Sequence, residues 1–278
     1  MTDVDPRVTL ARADLAAGSL EGLLAAARYA SPETRAVSAP VAPLRRAPDS
    51  ASERMDELVL GERFDALEPH GDFVWGQARR DGYVGFVRAA DLAPPGPAPS
   101  HRVAAVRTYA FAEPSIKSPA LGPFSLNALV AVEAENGPFS RAADGAWFWT
   151  RHLAPAGLFE RDAAAVAERF LGAPYLWGGR TSVGLDCSGL VQQSLYACGR
   201  ACPRDADQQA ALGREIQPGE LARGDLIGWR GHIGLMLDET RLIHANGHHM
   251  AVAIEPLAEA ITRIEAAGAG APTAFRRL

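Results

Sequence analysis

Asp186-Cys187-Ser188-Gly189-Leu190 stands between a glycine-rich turn, Trp177 to Gly184, and a helical pattern carrying Leu190, Val191, Leu195 and Tyr196. Clustered glycines interrupt regular structure and apolar residues at helical spacing resume it, so a helix is expected to begin near Cys187. That placement has chemical consequences. A thiol attacks as its thiolate, and the N–H groups at a helix start carry partial positive charge that favours the anion and lowers the thiol pKa. The same N–H groups can receive the oxyanion of a tetrahedral intermediate. Cys187 is therefore the candidate nucleophile.

A nucleophile of this kind needs a base, and the base needs a polar group to hold it. Seven histidines are available: His70, His101, His152, His232, His244, His248 and His249. His232 begins Gly231-His232-Ile233-Gly234-Leu235-Met236-Leu237, which alternates Ile233, Leu235 and Leu237 on one face with His232, Gly234 and Met236 on the other. His244 ends Arg241-Leu242-Ile243-His244 after the turn Asp238-Glu239-Thr240, so the two runs should pair as an antiparallel hairpin. His232 is assigned as base and His244 as its orienter. The assignment holds only if the register puts both on one face.

Outward from this segment, residues 158–278 open with an amphipathic helix carrying Ala163, Val166, Ala167 and Phe170, and strand-like segments follow. Upstream, Pro94-Pro95-Gly96-Pro97-Ala98-Pro99 cannot continue a ladder or a helix and marks a linker. Two stretches of short strands and turns flank it, at 49–93 and 100–155, similar in length and layout. In the first, Glu57 to Gly61, Arg63 to Leu67, Phe73 to Ala78 and Tyr83 to Val87 have strand character. In the second, Trp147, Phe148 and Trp149 are read as core and rim. Residues 1–48 contain a helical stretch near Leu20 to Tyr29 and a Pro- and Ala-rich segment from Ser38 to Pro48, and are expected to form a helical arm and linker.

Hydrophobic residues at 47% and charged residues at 22% are those of a globular chain, with no sign of disorder. The net charge of -5 leaves no basic face to neutralise a run of phosphates, so nucleic acid is an unexpected partner. The apolar runs are too short to span a bilayer, and no export signal is visible, so a cytoplasmic protein with no membrane association is expected. Three cysteines, Cys187, Cys198 and Cys202, argue against a disulfide framework. Cys198, Cys202, His248 and His249 lack the paired layout of a zinc site, so no metal and no cofactor are expected.

Between Phe159 and Ala260 the motifs Pro174-Tyr175-Leu176-Trp177-Gly178-Gly179, Asp186-Cys187-Ser188-Gly189-Leu190, Pro203-Arg204-Asp205, Arg223-Gly224-Asp225-Leu226-Ile227, Gly231-His232-Ile233-Gly234 and Ile243-His244-Ala245 follow one another. In this order they resemble the NlpC-type cysteine peptidases that cut cell-wall peptides. The resemblance implies an α+β fold class, with a papain-like catalytic domain preceded by two small SH3-like β-barrels. It maps the triad onto Cys187, His232 and His244. It further implies an endopeptidase of the subgroup that cleaves between γ-D-glutamate and the diamino acid of murein-derived peptides with a free N-terminal L-alanine. For that subgroup Asp205 and Tyr83 match the acid and tyrosine that recognise the amine, and Trp177, Asp186 and Ser188 match positions about the cleft. A glutamate of the first barrel aligns with Met55, between Glu53 and Glu57, and a serine after the acid is replaced by Ala206.

Other readings of the same residues are retained. Tyr83 can be an ordinary barrel residue, and Asp205 can cap a helix from Ala206 to Leu212. For function, the alternatives are a non-catalytic cell-wall-peptide binder and a thiol acyltransferase or amidase using the same triad.

Overall fold

A computed structural model describes residues 4–278, which divide into two compact units at residues 156 and 157. No helix among the described residues is long and apolar enough to cross a membrane.

The first unit is built of short strands. Seven of them form one sheet, in the order Arg54–Val59, Val41–Arg45, Val84–Arg88, Phe73–Ala78, Arg63–His70, Glu33–Val37 and Leu92–Ala93. Val37, Ala42, Leu44, Leu58, Phe64, Ala78, Tyr83 and Val87 close over its core. The two earliest strands fall where a helical arm and linker were expected. Pro43 is tolerated within Val41–Arg45 because the neighbour Val84–Arg88 pairs with that strand only between Arg45 and Phe86, so one missing N–H leaves the ladder intact.

The expected helix at Leu20 to Tyr29 is also absent. A single 3-10 turn, Gly18–Leu20, leads to Gly22 at φ 78°, a left-handed conformation that ends any right-handed helix. Ala16–Ala17, just before the turn, pairs in parallel with Tyr29–Ala30 after it, closing a loop whose centre is held by the Tyr29 hydroxyl on the Leu24 carbonyl at 2.5 Å. Leu10, Leu15 and Ala17 pack on Trp75 and Val84, so this segment adds a satellite core to the first sheet.

Residues 101–155 form a three-stranded sheet and a five-stranded sheet about Val103, Ala110, Phe124, Val130, Ala142 and Phe148, with Val59 joining the same core. Phe148 is buried while Trp147 and Trp149 on either side are half-buried, as alternation requires.

The second unit, Gly157–Leu278, carries helices α1 (Ala163–Glu168), α2 (Cys187–Ala197), α3 (Ala206–Gln209) and α4 (Leu257–Ala266). Its antiparallel sheet comprises β1 (Arg214–Glu215), β2 (Leu226–Trp229), β3 (His232–Met236), β4 (Arg241–Asn246), β5 (Ala251–Pro256) and β6 (Ala274–Arg277), in the order β1-β6-β2-β3-β4-β5. The α2 helix is buried along its whole length and packs against β3 and β4. Ile227, Trp229, Met236 and Leu242 meet Ala260 and Ile264 of α4 in a separate cluster. Gly189 lets α2 start close to the glycine-rich turn: a Cβ there would lie 2.3 Å from the Gly179 carbonyl oxygen. Thus the glycines before Cys187 do more than break structure; they admit the helix.

Candidate active site

Asp186 is the N-cap of α2 and Cys187 its first helical residue. The cap is fixed from several directions. Asp186 Oδ1 accepts from the Gly189 N–H at 2.8 Å and from the Ser188 hydroxyl at 3.2 Å, and Oδ2 accepts from the Gly178 N–H at 2.9 Å. Arg204, 1% exposed, grips the same carboxylate through Nη1 at 3.0 Å and Nη2 at 2.6 Å. Arg204 Nη1 also donates to the Ser188 hydroxyl at 2.7 Å. Both carboxylate oxygens and the serine hydroxyl are therefore committed within the fold. These bonds hold the start of α2, and a contact of Asp186 or Ser188 with substrate is left as a proposal.

The environment of Cys187 also differs from the lowered thiol pKa expected of a helix start. Burial pushes the thiol up to about 12 and the Asp186 carboxylate pushes the same way, opposed by the Ile233 N–H, Arg204 and the Ser188 N–H. A solitary thiolate is costly here because desolvation outweighs the helix-end dipoles. The Ile233 N–H that favours the thiolate belongs to the residue after His232, so the strand bearing the histidine runs beside the sulfur.

Leu235 pairs with Ile243 and Met236 with Leu242, so even-numbered residues of β3 and β4 share one face. His232 and His244 accordingly project together, with His232 Nε2 2.7 Å from His244 Nδ1. His244 is fully buried, whereas His232 retains some exposure. Burial, then the neighbouring His244 and Arg263, hold His232 down at about 3, with Glu255 opposing, so the imidazole is neutral at pH 7. Burial likewise lowers His244, against a hydrogen bond to the Glu255 carboxylate that raises it.

Three residues given no role in the sequence reading complete the surroundings. Glu255 of β5 lies 2.5 Å from His244 Nε2 and is itself paired with Arg263 of α4. Tyr175 is half-buried and its hydroxyl pKa is raised, by burial first and then by Cys187 and Asp186, which places it near the nucleophile. The strand alternation Ala251, Ala253, Glu255 carried a signal for Glu255, but nothing in that run identified His244 as its neighbour.

The remaining expected contacts lie as follows. Trp177 is 58% exposed in the turn before α2. Asp205 is half-buried as the N-cap of α3, in a capping box with Gln208, and the helix is shorter than expected, ending at Gln209. Tyr83 belongs to the other unit, where it is 5% exposed and packs in the first sheet's core. Glu57 is buried against Arg54 at 2.9 Å and Glu53 pairs with Arg46 at 2.7 Å. Cys198 and Cys202 stand outside any disulfide, and no group of three metal-ligating side chains occurs among the described residues.

Residues 172–269, a span that takes in the glycine-rich turn, α2 and the sheet through α4, match the NlpC/P60 family. They are an NlpC/P60 domain. Residues 44–92 match the bacterial dipeptidyl-peptidase SH3 domain, which is the greater part of the seven-stranded sheet. A γ-D-glutamyl-L-lysine dipeptidyl-peptidase of Bacillus subtilis is 35% identical over 100 residues, covering 33% of this chain and 34% of the relative. The peptidoglycan endopeptidase RipB of Mycobacterium tuberculosis is 34% identical over 116 residues, covering 34% of this chain and 48% of the relative. The similarity to these relatives thus spans a third to a half of their length. A crystal structure of an NlpC/P60 family protein from Bacillus cereus superposes with a TM-score of 0.75 at 20% identity, over 88% of this chain and 99% of that one. The chain thus has the fold of an NlpC/P60 domain with an SH3 domain. Cys187, His232 and His244 all fall inside the NlpC/P60 domain.

Proposed function

We propose that the chain is a cysteine endopeptidase that hydrolyses the bond between γ-D-glutamate and the diamino acid of murein-derived peptides with a free N-terminal L-alanine, in cell-wall peptide recycling. The observation that carries the reading is the cysteine at the first position of α2 beside the strand of His232, whose imidazole is hydrogen-bonded to His244. The name of the Bacillus subtilis relative supports the choice of bond.

In this mechanism Cys187 Sγ attacks the glutamyl carbonyl carbon as its proton passes to His232. Burial penalises the thiolate and the imidazolium separately, but a transfer within the pair creates both charges together, and their attraction offsets part of each penalty. The oxyanion is received by the Cys187 N–H, which has no intrahelical acceptor at its helix position. His232 returns the proton to the departing amine, leaving a thioester; water then attacks with His232 again as base, and the carboxylate product leaves. Asp205 is proposed to receive the substrate ammonium while capping α3. The residues 101–155 are proposed to be a second SH3-like barrel, and the catalytic fold to be papain-like. Cysteines outside any disulfide suit a cytoplasmic setting, which the proposal retains.

The test is digestion of L-Ala-γ-D-Glu-L-Lys and L-Ala-γ-D-Glu-diaminopimelate, followed by mass spectrometry. Release of L-Ala-D-Glu and the free diamino acid is expected, with sharply slower release from N-acetylated peptides. Intact peptides, or cleavage at another bond, would overturn the reading.

A further inference from the structure

His244 meets more than His232. Register puts Ala253 opposite His244 and Glu255 opposite Leu242, so Glu255 lies diagonally across the ladder from His244 on the same face, within reach of a long side chain. Its Oε1 lies 2.5 Å from His244 Nε2. Arg263, one turn after the buried Ala260 of α4, closes on the same carboxylate oxygen. The result is a line of four side chains, His232, His244, Glu255 and Arg263, of which the first two belong to the proposed triad.

We propose that Glu255 is a positioning residue that fixes the tautomers of both histidines in series and thereby leaves His232 Nδ1 unprotonated to take the thiol proton. The chemistry of each group forces the sequence. Glu255 is ionised, its pKa held at about 2 by His244 and Arg263 against the cost of burial, and an ionised carboxylate can only accept. His244 Nε2 must therefore carry the proton that it donates to Glu255. A neutral imidazole has one N–H, so His244 Nδ1 is an acceptor. The 2.7 Å contact then requires His232 Nε2 to be the donor. Neutral His232 has spent its one N–H, and Nδ1 keeps a lone pair. Arg263 acts one step further out, keeping Glu255 anionic and in place.

The inference rests on the proposed role of His232 as base, but its test reads the resting protein directly. In protein labelled with 15N-histidine, the shifts of the two ring nitrogens distinguish protonated from unprotonated positions without any substrate. Wild type is expected to show His232 protonated at Nε2 and His244 also at Nε2. Gln can present either an acceptor or a donor to His244, so Glu255→Gln is expected to give a mixture of tautomers at both rings and to lower kcat at least about tenfold with KM nearly unchanged. Glu255→Asp, tested alongside, is expected to keep a carboxylate acceptor and recover part of kcat. Wild-type spectra with His232 protonated at Nδ1, or Glu255→Gln spectra and kcat matching wild type, would overturn the inference. If wild type cleaves no peptide yet shows the expected tautomers, the functional reading fails and the tautomer relay stands.

Discussion

Removing the Asp186 carboxylate should unfasten the start of α2, and the structure sets the size of the effect. In Asp186→Ala, Arg204 keeps its hydrogen bond to Ser188 but loses its ion pair with Asp186 while remaining 1% exposed. Stranding a buried charge costs about 3–5 kcal/mol, and losing an N-cap about 1 kcal/mol, giving about 4–6 kcal/mol. That approaches the whole stability of many domains. Arg204→Met alone should cost less, because Asp186 retains the Gly178 and Gly189 N–H groups and the Ser188 hydroxyl. In the double variant the methionine removes the stranded charge, so it should recover about 2 kcal/mol or more relative to Asp186→Ala. Hydrogen exchange of α2 amides in the full chain is the suitable assay, since global unfolding of a chain with two units need not be two-state. Asp186→Ala should speed exchange of the slowest α2 amides by about 10³ to 10⁴, at about 1.4 kcal/mol per decade. Asp186→Asn, which keeps a capping oxygen, should fall between. An Asp186→Ala effect of about 1 kcal/mol or less, or a double variant less stable than Asp186→Ala, would refute the reasoning.

Gly189→Ala should destabilise α2 by more than the usual helix preference for alanine could offset, because the new methyl meets the Gly179 carbonyl at 2.3 Å; thermal denaturation showing a stabilised protein would contradict that close approach. Acid should destabilise the second unit through His232: with a folded pKa of about 3 against about 6.5 unfolded, the unfolded chain binds the extra proton below pH 6.5, so stability falls from there toward pH 3. At pH 5 the loss is about 2 kcal/mol, with lowered His244 acting in the same direction, while Glu255 takes effect only in stronger acid. His232→Gln should flatten the profile between pH 7 and 5; hydrogen exchange with the same slope in both proteins would assign the acid sensitivity elsewhere. Cys187→Ala should remove peptidase activity and leave the fold intact, as measured by turnover and circular dichroism together.

The parts of this architecture legible in the sequence were those written in local pattern. The helix at Cys187 was announced by a run of glycines and the spacing of Leu190, Val191 and Leu195, and the His232–His244 hairpin by alternation around the turn Asp238-Glu239-Thr240. Their shared face followed from an even register that the turn alone did not dictate. What escaped was decided by tertiary context. Leu20 to Tyr29 has apolar residues suited to a helix, yet Gly22 turns left-handed and two short strands pair across the loop. Val41–Arg45 hid behind Pro43, because whether a missing N–H matters depends on which neighbour pairs there. The buried ion pair of Asp186 was hidden because its partner, Arg204, comes from a distant segment, and the raised thiol pKa reflects burial that no local motif encodes. Glu255 completes a line through three strands and a helix, a relation visible only once their registers are known.

The most direct measurement is mass spectrometry of the Cys187 peptide after rapid acid quench during turnover of L-Ala-γ-D-Glu-diaminopimelate. A mass increase of one L-Ala-D-Glu acyl group on Cys187, absent from Cys198 and Cys202 and lost in Cys187→Ala together with cleavage, is expected. Cleavage that persists in Cys187→Ala would contradict the central claim that this sulfur is the nucleophile.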